Sequence, residues 1–274
     1  MIDKMSVSVH NKREKEGRQI VWFDDFSELN MEKWGFYHLM NNPASEYSND
    51  SEHIFISDGR LHIRTLNKDG KVSSCDSLTT KERMLYKYGF LEMRAKVPFR
   101  HGAWPSLWFL GNTDFHNEDI GWFCEIDLFE VFSSETLLIS NIHRWGHDNR
   151  HEMLTDSNEE RGYAFPDKDI ANDEFHIFGF LWDTEYMKFF VDGNCFYQIK
   201  IDEQTSFDSM YKDKSGGFHE PIYININNET FSDKIEWYPE GAAITVNDKF
   251  PIEYQIDWIR LYQNPNEEII YLER

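Results

Sequence analysis

MKFFVDGNCFYQIK (187–200) carries the clearest fold signal in the chain: two short runs rich in Phe, Tyr, Val and Ile flank the dipeptide Asp192-Gly193. An Asp-Gly pair between such runs marks a two-residue hairpin turn, because both central residues take positive φ and glycine does so at no steric cost. The stretch therefore predicts two adjacent antiparallel strands. The same signal recurs at Asp58-Gly59 and Asp69-Gly70. From IVWFDDF (20–26) onward, strand-like segments follow one another: HIFIS (53–57), RLHIRTL (60–66), YGFLEMRAKVP (88–98), SLWFLG (106–111), CEIDLFEVF (124–132), LLISNIHRW (137–145), HIFGFLWD (176–183), PIYININ (221–227) and YQIDWIRLYQ (254–263). No helical period is sustained, no segment repeats, and no linker rich in Pro, Gly or Ser interrupts the series. EYSNDSE (46–52) and DSNEERGYAFPDKDIANDE (156–174) read as surface loops. The expected fold is all-β, a sandwich of two antiparallel sheets.

At 274 residues the chain suffices for one large all-β domain, expected over 19–274 behind a loose N-terminal arm, 1–18. The formal net charge of -21 repels phosphate backbones and anionic lipid headgroups, which disfavours nucleic acid and membrane surfaces as partners. No run of about 18 apolar residues offers a spanning helix. The N-terminus is polar, without the apolar core of a signal peptide, so either the protein stays inside the cell or a leader is absent from this chain. Cys75, Cys124 and Cys195 are too widely spaced for a CxxC zinc site and odd in number for a disulfide framework, so buried free thiols are expected.

Against this background CEIDLFEVF (124–132) is anomalous, because Glu125, Asp127 and Glu130 interrupt one of the most apolar runs in the chain. Side chains alternate along a strand, so Glu125 and Asp127 share a face and Glu130 has the wrong parity. One β-bulge would return Glu130 to their face. Alternating acids can simply mark the wet side of a half-buried strand. Three neighbouring carboxylates, however, repel one another and raise at least one pKa, which points to a use. Hydrolysis of a glycosidic bond and a hard-cation site both suit such a cluster. Cation sites normally recruit loop carbonyls as well, so glycosidic chemistry is the better fit.

EIDLFE (125–130) resembles the ExDxxE strand of family 16 glycoside hydrolases, and the likeness extends over roughly residues 20–263. VWFDDFSELNMEKW (21–34) resembles the opening strand of that family, YKYGFLEMRAKVP (86–98) its YG.(F/V)E.R.K.P segment, and GAWPSLWFLG (102–111) its G.WPA.WLLG segment. FHIFGFLWDTEYMKFFVDG (175–193) and YQIDWIRLYQ (254–263) resemble its closing strands. The resemblance implies a β-jelly roll of two curved antiparallel sheets with a concave substrate cleft. It implies Glu125 as nucleophile, Glu130 as general acid and base, and Asp127 as the residue that modulates the nucleophile. Retention with a covalent intermediate requires the two carboxyl groups to lie about 5 Å apart. No cofactor is then required.

Trp104, Trp108, His143 and Trp145 match aromatic and His positions near the family's catalytic strand and are candidates for substrate contact. Many laminarinases continue after the strand ending YININ with LAVGG.W.G, where this chain reads NETFSDKIEWYPEG (228–241). Asn225, Asn227 and Trp237 are candidates to replace that stretch. The departure leaves β-glucan and β-galactan both open as substrates. The net charge disfavours a polyanionic chain, although Arg83, Arg94, Arg144 and Arg150 could compensate locally. His143, His147 and His151 recur every four residues, but Gly146 and Asp148 break the pattern and leave a metal face without a helix. A structural calcium of the family maps to Asp25 and Asp257. The substrate is expected to be a polysaccharide or oligosaccharide bound by a monomer. The family is typically secreted. A non-catalytic carbohydrate-binding jelly roll and a transglycosylase are the competing readings.

Overall fold

The computed structural model describes residues 15–38, 46–111, 122–146, 151–155, 159, 162–201, 218–231 and 241–271, with Trp122 described by its backbone alone. The first strands are β1 (Gln19–Asp24), β2 (Gly35–Tyr37), β3 (Glu46–Tyr47), β4 (Ile54–Ser57), β5 (Arg60–Lys68), β6 (Lys71–Ser74) and β7 (Ser77–Thr79). They are followed by β8 (Met84–Lys87), β9 (Gly89–Lys96), β10 (Ala103–Gly111), β11 (Trp122–Glu130), β12 (Ile139–Gly146), β13 (His151–Met153) and β14 (Tyr163–Ala164). β15 (His176–Trp182), β16 (Tyr186–Val191), β17 (Asn194–Lys200), β18 (Ile222–Thr230), β19 (Ile252–Gln263) and β20 (Glu268–Tyr271) complete the set.

These strands form two ten-stranded sheets. The back sheet runs β17-β16-β15-β9-β19-β5-β6-β3, with β1 on β19 and β4 on β5. The cleft sheet runs β13-β12-β11-β10-β18-β7-β2, with β14 on β12, β8 on β18 and β20 on β8. The β16–β17 hairpin turns where expected, with Asp192 at φ 47° and Gly193 at φ 82°. The result is the all-β two-sheet sandwich expected from the segment pattern, and the jelly roll that the resemblance implies.

Alternation along each strand builds the core between the sheets. Leu107 and Phe109 of β10, Cys124 and Ile126 of β11 and Ile222, Ile224 and Ile226 of β18 face inward and are buried. Across from them lie Leu91 and Met93 of β9, Phe178 and Phe180 of β15, and Ile259 and Leu261 of β19. Phe109 stacks on Phe180 at 5.2 Å and Phe129 meets Phe178 at 4.3 Å, so aromatic pairs join the two layers. Residues of the opposite parity on β10, β11, β12 and β18 are left for the open face.

Two expectations need refinement. Cys75 and Cys124 are buried, but Cys195 is exposed, because β17 is the last strand of the back sheet and Cys195 lies beside its turn. The end of the expected N-terminal arm is fastened: Lys15 pairs with buried Glu92 at 2.6 Å and Arg18 with Glu267 at 2.7 Å.

Gly102 locks the start of β10. Its φ is +73°, and an added Cβ would meet the Ile244 Cα at 2.6 Å. Its N–H donates to Ser133 Oγ at 2.7 Å and its carbonyl accepts from the Phe231 N–H at 3.0 Å. Gly102→Ala is therefore expected to destabilise the fold by about 1–3 kcal/mol through strain and collision. A thermal melt with unchanged Tm would contradict this.

Candidate active site

The acidic strand carries the bulge that parity demanded. Against β10, Leu107 pairs with Phe129 and Trp108 with Asp127, so Leu128 has no partner. Against β12 the register shifts between Asp127 and Glu130. Leu128 and Phe129 consequently both turn into the core, and Glu130 returns to the face of Glu125 and Asp127.

Each carboxyl group meets a polar group of a neighbouring strand. Trp145 Nε1 donates to Glu125 Oε2 at 3.1 Å. His143 Nε2 lies 3.2 Å from Asp127 Oδ2, close enough for charge pairing but without the direction of a hydrogen bond, so that buried oxygen has no donor among the described residues. Glu130 Oε1 accepts from Trp104 Nε1 at 2.8 Å, and Asn141 Nδ2 reaches its other oxygen at 3.4 Å. Asp127 and Glu130 are buried, whereas Glu125 is half-buried and the most reachable of the three.

Burial, followed by the charge of Asp127, pushes Glu125 up to about 8. The same two causes in the same order push Glu130 up to about 8. Burial holds Asp127 well above the usual carboxylate range. His143 and the Trp N–H groups oppose these shifts for the two glutamates. The trio is a coupled cluster that retains protons at neutral pH, as like charges at close range require.

The other predicted residues separate into groups. His143 and Trp145 lie beside the acids on β12, where Glu125 pairs with His143 in the register. Trp104 is half-buried, directs its N–H at Glu130 and stacks its ring on Phe231 at 4.6 Å. Trp108 donates to Asn227 Oδ1 at 2.6 Å and packs against Leu85, Leu110, Phe123 and Tyr223. Asn225 is fully buried next to Trp108, and its side-chain amide has no hydrogen-bond partner among the described residues. Trp237, His147 and Arg150 lie outside the described residues, as does the side chain of Trp122.

The proposed calcium pair does not fit a cation site. Asp257 Oδ2 accepts from Arg94 at 2.8 Å and its other oxygen lies 3.9 Å from Arg60, so two guanidinium groups already face it. Asp25 caps the Ser27 N–H at 3.2 Å. Among the described residues, the one trio of side chains whose potential ligand atoms converge within 4.8 Å is Glu125, Asp127 and His143, which is the acidic cluster itself.

Three contributors escaped sequence reasoning. Asn141 shares the parity of His143 and Trp145 on β12, a signal that could have identified it. His151 of β13 places Nε2 2.9 Å from His143 Nδ1 and stacks on Trp145 at 3.9 Å. Glu229, buried on β18 opposite Trp104, accepts from the Tyr47 hydroxyl at 2.7 Å.

The profile of Glycosyl hydrolases family 16 matches residues 40–215. Glucan endo-1,3-beta-glucosidase A1 of Niallia circulans is 24% identical over 272 residues, covering 90% of this chain and 38% of that protein, so the chain spans well under half of that relative's length. A structure from work on endo-acting O-glycanases with which members of the human gut microbiota initiate mucin breakdown superposes with a TM-score of 0.69 at 24% identity, covering 91% of this chain and 92% of the other. The laminarinase catalytic domain from Thermotoga maritima MSB8 superposes with a TM-score of 0.65 at 22% identity, covering 91% and 99%. The profile match extends over more than half of the sequence and includes the acidic strand, and this chain belongs to family 16 of the glycosyl hydrolases.

Proposed function

We propose that this chain is a retaining endo-β-glycosidase that hydrolyses internal linkages of a neutral β-linked polysaccharide, a β-glucan or β-galactan, by double displacement. The observation that supports this most strongly is the bulge that turns Glu130 onto the face of Glu125 and Asp127. The reacting state of the coupled cluster has Glu125 ionised and the shared proton on Glu130. In the first step Glu130 gives that proton to the glycosidic oxygen while the Glu125 carboxylate attacks the anomeric carbon, so the C–O bond to the leaving sugar breaks and an ester to Glu125 forms. Ester formation removes the Glu125 charge, the pKa of Glu130 falls, and Glu130 is ready to act as base. In the second step Glu130 takes a proton from water, the water oxygen attacks the anomeric carbon, and Glu125 leaves as a carboxylate. Two inversions return the sugar to its starting configuration. His143 and Asp127 set the charge around the nucleophile.

A neutral substrate agrees with the net charge of -21 and with the pairing of two of the candidate arginines. Arg94 is committed to Asp257, and buried Arg144 is paired with Glu152. The glucanase and laminarinase relatives make β-1,3-glucan the first polymer to test, and the O-glycanase structure makes a mucin-type glycan the second. Product analysis of wild type on laminarin, mixed-linkage glucan, agarose, porphyran, carrageenan and mucin-type glycans tests the proposal. Short oligosaccharides from one neutral polymer support it. Retention on a polymer gel without any cleavage would favour a binding protein instead.

Trp104→Phe provides a local test, since phenylalanine keeps the stack on Phe231 and removes the N–H to Glu130. The expected result is a fall in kcat of about tenfold, the scale of one charge-assisted hydrogen bond. That bond lowers the Glu130 pKa, so its loss also moves the alkaline limb of the pH profile upward. A wild-type profile would show that Trp104 does not hold the acid.

A further inference from the structure

We infer that His151 is a positioning residue for this reaction, acting through His143 and Trp145 on Asp127 and Glu125. The inference rests on the proposed roles of the acidic cluster. Its basis is the convergence of two contacts on one ring: His151 Nε2 lies 2.9 Å from His143 Nδ1, and the same ring stacks on Trp145 at 3.9 Å and 18°. Trp145 in turn donates to Glu125, and His143 Nε2 lies 3.2 Å from Asp127 Oδ2. One side chain on β13, the last strand of the cleft sheet, therefore braces both β12 residues that contact the nucleophile and its neighbour.

The chemistry follows from the two ring nitrogens of His143. Its Nε2 lies beside the Asp127 carboxylate, and a proton on its Nδ1 needs an acceptor. His151 supplies that acceptor while it remains neutral. Burial, and then the positive charge of His143, lower the His151 pKa to about 4, so His151 stays uncharged across a neutral working range. The acids that face His143 are Glu125, Asp127 and Glu130 from β11, and β13 brings His151 to it with Glu152 beside His151. Glu152 is committed to Arg144. His151 is thus the neighbour of His143 on β13 available to hold its ring against the acids by accepting from Nδ1. The His143 ring so held lowers the pKa of both Glu125 and Glu130.

Two variants separate bracing from hydrogen bonding. His151→Phe keeps an aromatic ring on Trp145 and removes the acceptor, whereas His151→Gln restores an acceptor. The measurement is kcat/KM against pH on the polymer that the wild type cleaves. His151→Phe is expected to displace the whole profile upward by about one pH unit, as loss of one charge-assisted hydrogen bond at a coupled site implies. His151→Gln is expected to return the profile toward wild type. A His151→Phe profile that superposes on wild type, or that drops without displacement, overturns the inference, as does a Gln variant displaced as far as Phe. Glu125→Gln assayed alongside keeps the two levels distinct: turnover by that variant refutes the proposed reaction, while its inactivity leaves a failure at His151 to count against His151 alone.

Discussion

Glu125→Gln is expected to lower kcat on the polymer by at least about 10³-fold, because an amide is far too poor a nucleophile to form the glycosyl ester. The side-chain carbonyl of glutamine can still accept from Trp145 Nε1, so oligosaccharide affinity and the fold are expected to survive. Stability provides a second signature. Glu125 has a raised pKa in the folded state, so the folded protein keeps a proton that the unfolded chain releases as pH rises above about 4.3. Stability contributed by this site therefore falls between that pH and about 8, where the folded group also ionises. The glutamine variant avoids this loss. Its Tm is expected to match wild type near pH 4 and to exceed it near pH 8. Near wild-type turnover, or a Tm difference of opposite sign, would remove Glu125 from the nucleophile role.

Glu130→Gln is expected to affect substrates unequally. On the polymer, whose leaving oxygen needs a proton, loss of general acid catalysis is expected to reduce kcat by about 10²–10⁴-fold. An aryl glycoside with an acidic phenol departs without a proton, so formation of the glycosyl enzyme from it is expected to lose far less. The alkaline limb of the pH profile disappears with the acid that produces it. Equal losses on both substrates would assign Glu130 to binding or to attack on carbon.

These two carboxylates were legible in the sequence because strand parity is strict. A period of two leaves Glu130 on the wrong face unless one residue is extra, and Leu128 is that residue. The hairpin at Asp192-Gly193 was legible for a similar reason, since its turn requires positive φ at both positions. Other elements were hidden. β7 is a strand of the cleft sheet although SLT is too short and polar to show alternation. Its neighbour Thr80 stays buried because its backbone and hydroxyl bond to Ile224. His151 looked like one member of an aborted helical row, whereas a strand pairing with β12 brings it against His143. The family's calcium maps to Asp257, and nothing in the local sequence shows that Arg94 and Arg60 come from other strands to meet it. For β7 and Asp257 the missing information was a partner far away in the chain; for His151 it was a strand pairing with β12 only eight residues back.

Identification of the covalent intermediate tests the central claim most directly. The wild-type enzyme would be treated with a 2-deoxy-2-fluoro glycoside of its own oligosaccharide product bearing an acidic phenol, then digested and mapped by mass spectrometry. The account predicts one added glycosyl mass on the peptide containing CEIDLFEVF, localised to Glu125 and absent from the Glu125→Gln variant. A label on Asp127 or Glu130, or turnover to a product of inverted anomeric configuration without any label, would contradict it.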